Sequence, residues 1–254
     1  MPAEASPSAE AAITEDGILG GRLRLRQPAA GYRVGIDPIL LAAAAPSLGR
    51  VRALELGAGV GAASLALAWR QTEARVLGLE LQPSLAALAA ENAGINGLAG
   101  RVAFRAGDLL RPPVEIAAGG FDLVLANPPF HAAGSATPPA EPGRARGHVE
   151  GEADLAAWIA QACALARPGG QVLLIHRPER LADLLGLLDG RAGGVTVFPF
   201  WAAAGKAARR ILLLAHKGSR APLTLAAGMV LHQADGRYTA AAEAVLRGGE
   251  AIAL

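Results

Sequence analysis

At 254 residues, 52% hydrophobic but only 4% aromatic, the chain is long enough for one large α/β domain whose core must be built from Ala, Leu and Val. No apolar run approaches the roughly 20 residues of a membrane span, and the lone Cys163 excludes an internal disulfide, which fits a reducing cytoplasm. A formal net charge of +2 hides an uneven distribution, acidic over 1–16 and basic over 20–35 and 200–220, so a polyanion surface competes with an ordinary solvated one.

The opening MPAEASPSAEAAITEDG has neither a basic nor an apolar signal region, and residues 1–16 are predicted to form a disordered acidic tail. GRLRLRQ (21–27) alternates Arg and Leu, the period of a half-buried strand, so 17–48 is predicted to be a hairpin followed by a helix. That helix starts in GIDPILLAA, with Asp37 as N-cap and Pro38 at its first position. Strands follow at VRALEL (51–56), RVLGLEL (75–81), RVAFRAGD (101–108), FDLVLA (121–126), QVLLIH (171–176), VTVFPF (195–200) and RRILLLAH (209–216). Helices are predicted after the GAGVG turn, from Pro83 to about Asn96, from Asp154, and across PERLADLLGLLDGR. Residues 127–152 are rich in Pro, Gly and Ala and are too long for an ordinary connection. Asp235-Gly236 marks a tight turn, read as a C-terminal hairpin within 218–254. Strands alternating with helices through 51–217 give a doubly wound, mostly parallel sheet with small terminal additions.

Glu55-Leu56-Gly57-Ala58-Gly59-Val60-Gly61 joins the first core strand to its helix, at the end of the strand where open α/β sheets bind ligands. Glycines there admit a ligand to the backbone. The same layout serves NAD, but the spacing is G-x-G-x-G, and Glu55 would repel a pyrophosphate while attracting an ammonium. S-adenosyl-L-methionine carries an ammonium, a sulfonium, a ribose and an adenine, and no phosphate. Glu80 ends the second strand, placed for ribose hydroxyls, and Asp108 ends the third, placed for an adenine amino group. Any one of these acids alone reads as a solvated strand end; three at successive strand ends beside a glycine turn do not.

The fourth strand runs into Asn127-Pro128-Pro129-Phe130. An exocyclic amino group is a poor nucleophile because its lone pair is delocalised, and it must turn partly tetrahedral to attack a sulfonium methyl. Two acceptors aimed at its N–H groups favour that geometry and the charge that develops. The Asn127 side-chain oxygen is one acceptor, and the Pro128 carbonyl is the second. The prolines stiffen the backbone, and Phe130 offers a ring for a flipped-out base.

GGRLRLRQPAAGYRVGIDPILLAA, LELGAGVGAASLAL, GLELQP and LANPPF together resemble the amino-directed class I S-adenosylmethionine-dependent methyltransferases, marked by [N/D]-P-P-[Y/F/W]. Within them the chain is most similar to the bacterial tRNA1(Val) adenine-N6 methyltransferase family, from about residue 17 onward. The resemblance implies a Rossmann-like seven-stranded sheet with its last strand antiparallel. It implies cofactor contacts from Glu55, Gly57, Ala58, Gly59, Gly61, Glu80, Leu81, Asp108, Leu109 and Asn127, with Asp37 from the segment that closes over the cofactor. Asn127, Pro128, Pro129 and Phe130 would hold the target amino group. Phe130 stands where tyrosine is common, which keeps stacking and loses a hydroxyl.

Lys206, Arg209 and Arg210 are the first candidates for RNA phosphates, followed by Arg22, Arg24, Arg26 and Arg33. Trp201 is either an RNA-stacking ring or a strand-end hydrophobic contact. His131, His148, His176, His216 and His232 show no metal-ligand spacing, so no metal is expected; Cys163 and Trp158 read as core. The expected activity is methyl transfer to adenine N6 in tRNA. Alternatives are another amino group (rRNA guanine N2 or a protein glutamine), a non-catalytic protein binding the cofactor and RNA, and an NAD oxidoreductase that would leave the NPPF segment unused.

Overall fold

The computed structural model describes residues 12–31, 33–47, 49–117, 119–130 and 153–254. Seven strands make the body of one sheet in the order β8 (Ala192–Ala203), β9 (Ala208–Lys217), β7 (Ala166–His176), β6 (Phe121–Ala126), β3 (Arg52–Leu56), β4 (Arg75–Glu80), β5 (Val102–Ala106). Strands β3 to β7 run parallel, and β9 is antiparallel to both neighbours. This is the predicted class I methyltransferase sheet.

Both faces of the sheet are buried, which explains why its strands read as unbroken apolar runs. In β6, Leu123 and Leu125 face one core and Val124 and Ala126 the other; β7 repeats this with Leu173/Ile175 and Val172/Leu174. Helices α1 (Asp37–Ala43), α2 (Ala62–Arg70) and α3 (Pro83–Ile95) serve the first core, joined by α7 (Ala240–Leu246). On the second face lie α5 (Leu155–Leu165) and α6 (Leu181–Leu188), with the single turn α4 (Val114–Ala117) burying Ile116. Asp154 caps α5 by accepting from the Ala157 N–H at 2.8 Å.

Three boundaries differ from expectation. The acidic tail does not extend to residue 16, because β1 (Ile13–Ile18) pairs antiparallel with β2 (Leu23–Pro28), setting Glu15 opposite Arg26. Leu23 and Leu25 anchor this hairpin in the core. One edge of β2 is satisfied by side chains: Asn92 on α3 and its C-cap Asn96, one turn apart, each exchange two hydrogen bonds with its backbone at 2.7–2.9 Å, at Arg26 and Arg24. Asp37 is the first helical residue of α1 rather than its cap, which falls on Ile36, because its carboxylate is engaged elsewhere. At the C-terminus, β10 (Thr224–Leu225) and β11 (Met229–His232) both lie parallel on β8. The predicted turn at Asp235-Gly236 is present but closes only a His232–Tyr238 bridge before α7. Among the described residues no helix is long and apolar enough to cross a membrane.

Candidate functional site

The chain passes from β3 outward through β4 to β5, then crosses back to place β6 on the other side of β3. That reversal opens a crevice at the carboxyl ends of β3 and β6, where Leu56 pairs with Ala126. The glycine turn after β3 and Asn127 after β6 therefore lie side by side, and the ends of β4, β5 and β7 complete the rim.

The three glycines of the turn all have left-handed φ, of 67°, 55° and 89° for Gly57, Gly59 and Gly61. A Cβ on Gly57 would lie 2.5 Å from the Trp158 ring, and one on Gly61 would lie 2.6 Å from Phe104. A Cβ on Gly59 would meet nothing within 4 Å. Only Gly59 thus leaves space for a ligand; its neighbours are glycine because the core presses against them.

Glu55 is buried beneath the turn, where its Oε2 accepts the Ser64 N–H at 2.8 Å and the Ser64 hydroxyl at 2.5 Å, at the start of α2. Burial pushes its pKa up to about 7, with Glu80 adding to the rise and the Ser64 bonds opposing it. Glu80 is buried too, and its two oxygens accept the N–H groups of Gly59 (2.8 Å) and Gln82 (2.9 Å), leaving one lone pair on each for a diol. Asp108 is half-buried, with Oδ1 accepting from the Leu110 N–H at 2.8 Å; Leu109 is buried and Leu81 is 67% exposed.

On the β6 side, the Asn127 Oδ1 is buried and has no hydrogen-bond partner among the described residues. Such an orphaned acceptor costs about 1–3 kcal/mol, so Asn127 Oδ1 has an unused lone pair to offer a donor that reaches this rim. Pro128 is buried, and the Pro129 carbonyl faces the imidazole of His176 at 3.3 Å. Phe130 is not an open stacking platform: it is 7% exposed, edge-on to His176, with the Arg210 guanidinium 4.7 Å over the ring and that of Arg177 5.6 Å away. Arg210 is itself held by Asp37 at 2.7 Å, so α1 is tied to the NPPF segment through one guanidinium. His176, the last residue of β7, was read from sequence only as lacking metal-ligand spacing, and Arg177 after it was not singled out. The available signal was their place after QVLLIH, at the same rim as the acids and Asn127.

Opposed titrations follow from this rim. Native Glu55 keeps its proton to about pH 7, whereas the unfolded side chain releases it near 4.5, so stability falls as pH rises across that window. Native His176 stays unprotonated down to about pH 4, chiefly because burial opposes its charge, whereas the unfolded ring binds a proton below 6.5; here stability rises with pH. The two slopes offset each other over about pH 4.5–6.5. Urea melts across that interval are expected to show stability rising more steeply with pH in Glu55→Gln than in the parent, and falling relative to the parent in His176→Phe. Parallel profiles in all three proteins would remove both assignments.

The candidate phosphate contacts separate into two groups. Arg24 and Arg26 pair with Glu15 (3.5 and 3.2 Å), Arg26 also with Glu91 (3.7 Å), and Arg33 with Asp16 at 2.6 Å. Arg22 lies over Trp69 and bonds the Arg247 carbonyl. Arg210 serves Asp37 and Phe130 instead of solvent. Lys206, on the β8–β9 connection, and Arg209, at the start of β9, are exposed. Trp201 donates its indole N–H to the Ala227 carbonyl at 3.1 Å, as a strand-end contact does. Cys163 and Trp158 are core. His131 and His148 lie outside the described residues.

A family model described as the methyltransferase small domain matches residues 37–141. The tRNA1(Val) (adenine(37)-N6)-methyltransferase of Aeromonas hydrophila subsp. hydrophila is 31% identical over 211 residues, 82% of this chain and 85% of that protein. The protein of the same name from Porphyromonas gingivalis strain W83 is 36% identical over 165 residues, covering 62% of this chain and 64% of the relative, just under two thirds of its length. Among solved structures, an Agrobacterium tumefaciens protein described as a predicted O-methyltransferase superposes with a TM-score of 0.70 at 27% identity, over 85% of this chain and 98% of the other.

Proposed function

This chain belongs to the family of the tRNA1(Val) (adenine(37)-N6)-methyltransferases, and from that premise we propose that it transfers a methyl group from S-adenosyl-L-methionine to the exocyclic N6 of an adenine in tRNA. The observation that carries the proposal is the buried Asn127 Oδ1, without a partner among the described residues, where the ends of β3 and β6 lie side by side. When bound, S-adenosylmethionine supplies an activated methyl on a sulfonium. The chain's own residues do the rest. Glu80 would receive the ribose hydroxyls, the Asp108 carboxylate the adenine amino group, and the open side of Gly59 the close approach of the cofactor; Glu55 and Asp37 are the further carboxylates assigned to it. Asn127 Oδ1 and the Pro128 carbonyl would accept the N–H groups of the target, which favours a partly tetrahedral nitrogen and stabilises the positive charge that develops on it.

An oxygen nucleophile would need a base at this point, and a neutral amide oxygen is not one, so the NPPF geometry favours an amino target. The relatives' names point to tRNA as the polymer, and with it to the cytoplasm. Incubation with labelled S-adenosylmethionine and unmodified tRNA, rRNA or release factor, followed by nucleoside analysis, is expected to yield N6-methyladenosine in tRNA. Label only in protein, or only on guanine N2, would overturn the substrate assignment.

Of the candidate phosphate contacts, Lys206 and Arg209 are exposed and enter no ion pair among the described residues. Replacing both by alanine is expected to reduce the slope of log binding constant against log salt by about 1–2, whereas Arg24→Ala, already neutralised by Glu15, changes it by much less. Equal slopes in the two variants would take the β8–β9 connection out of the interface.

A further inference from the structure

The end of β7 carries a histidine whose two ring nitrogens are both committed. His176 is fully buried. Its Nδ1 accepts the backbone N–H of Arg177 at 2.8 Å. A nitrogen that accepts an N–H carries no proton, so the ring proton resides on Nε2, which faces the Pro129 carbonyl at 3.3 Å, the long end of the hydrogen-bond range. The same imidazole meets Phe130 edge-on, with ring centroids 5.4 Å apart and planes at 80°.

We propose that His176 is a positioning residue for methyl transfer: its Nε2–H pins the Pro129 carbonyl and thereby sets the direction in which Asn127 Oδ1 and the Pro128 carbonyl face the target amino group. The inference rests on the amino-directed reading above. Its physical basis is the count of free dihedrals after β6. Proline fixes φ at residues 128 and 129, but ψ of Pro129 remains soft, and it orients the peptide that leads to Phe130. A donor on the neighbouring strand locks that peptide. The strand is a rigid support, because β7 and β6 are paired up to Ala126–Leu174, just before the motif.

Protonating the ring would put an N–H on Nδ1 against the Arg177 N–H. It would also add a cation near the side chains of Arg177 and Arg180, with Arg210 and its partner Asp37 behind Phe130. The ring therefore keeps one donor and one acceptor throughout the neutral range, and its pKa is pushed down to about 4 with burial as the main cause. It holds no proton in transit; it holds a carbonyl.

The test uses the full-length protein and two variants. His176→Phe keeps an aromatic edge against Phe130 and removes the donor; His176→Gln keeps a side-chain N–H that can reach the Pro129 carbonyl. With saturating S-adenosylmethionine and tRNA, His176→Phe is expected to slow single-turnover transfer about 10–100-fold, with cofactor affinity by calorimetry unchanged within about twofold. His176→Gln is expected to recover most of the rate. Independently of activity, nitrogen NMR of the unliganded protein is expected to show an Nε2–H tautomer that does not titrate above pH 5. The proposal is overturned by a parent-like rate in His176→Phe, by equal losses of rate and cofactor affinity in both variants, or by an Nδ1–H tautomer. A parent protein that methylates no RNA would refute the proposed activity, and the NMR spectrum would still decide the Pro129 anchor.

Discussion

Asn127→Ala is expected to lower the single-turnover rate of methyl transfer about 10²–10³-fold, the usual consequence of removing one preorganised group that acts only as charge develops. Cofactor affinity should change little, because the carboxylates proposed for the cofactor lie in β3, at the end of β4 and just after β5 rather than on β6. The same truncation removes a buried acceptor that has no partner among the described residues, so the variant should be at least as stable as the parent. Loss of function with retained or increased stability is the pattern of a site that carries strain for its chemistry. Asn127→Asp still presents an oxygen acceptor and is expected to keep part of the rate. Quenched-flow transfer assays beside calorimetric cofactor titrations and thermal melts measure all three quantities. An alanine variant with the parent's rate would end the role assigned to this amide, and one that loses cofactor binding in proportion to rate would move Asn127 to the cofactor's side of the crevice.

The second large effect separates two glycines that look alike in sequence. Gly57→Ala places a methyl 2.5 Å from the Trp158 ring on a backbone already at φ 67°. Left-handed strain and overpacking together are expected to cost about 2–5 kcal/mol of stability, measurable by urea unfolding without any ligand. Gly59→Ala meets no atom within 4 Å and pays only for its φ of 55°. It should fold with a loss of about 1–2 kcal/mol and weaken S-adenosylmethionine binding, because the added methyl occupies the approach to the backbone. A smaller stability loss at Gly57 than at Gly59 would contradict the packing. Unchanged cofactor affinity in Gly59→Ala would place the ligand elsewhere on the rim.

The strands of the parallel sheet were legible because burial on both faces leaves continuous apolar runs ended by glycine, acid or amide. The acids Glu55, Glu80 and Asp108 and the amide Asn127 could be placed on one rim from the strand order alone, since parallel strands share a carboxyl edge. What stayed hidden were contacts between distant segments. The acidic 1–16 and basic 20–35 stretches read as separate surfaces, yet Glu15 and Asp16 neutralise Arg24, Arg26 and Arg33 across a hairpin and its following loop. Arg210, 173 residues from Asp37, read as a phosphate contact and serves instead as the link between α1 and Phe130.

By itself the sequence determined the chemistry on offer: a glycine turn after an acid, carboxylates at successive strand ends, and an amide followed by two prolines. These are short-range statements, carried by residue types within a few positions of a strand end. The tertiary structure decided which of them remain available. It shows that Gly59 alone among the turn glycines leaves space, that Phe130 is covered, that Arg24, Arg26 and Arg33 are ion-paired, and that His176 faces the Pro129 carbonyl. Availability depends on what packs against a group from elsewhere in the chain, and a charge, a ring or a glycine carries no local mark of the neighbour that will occupy it.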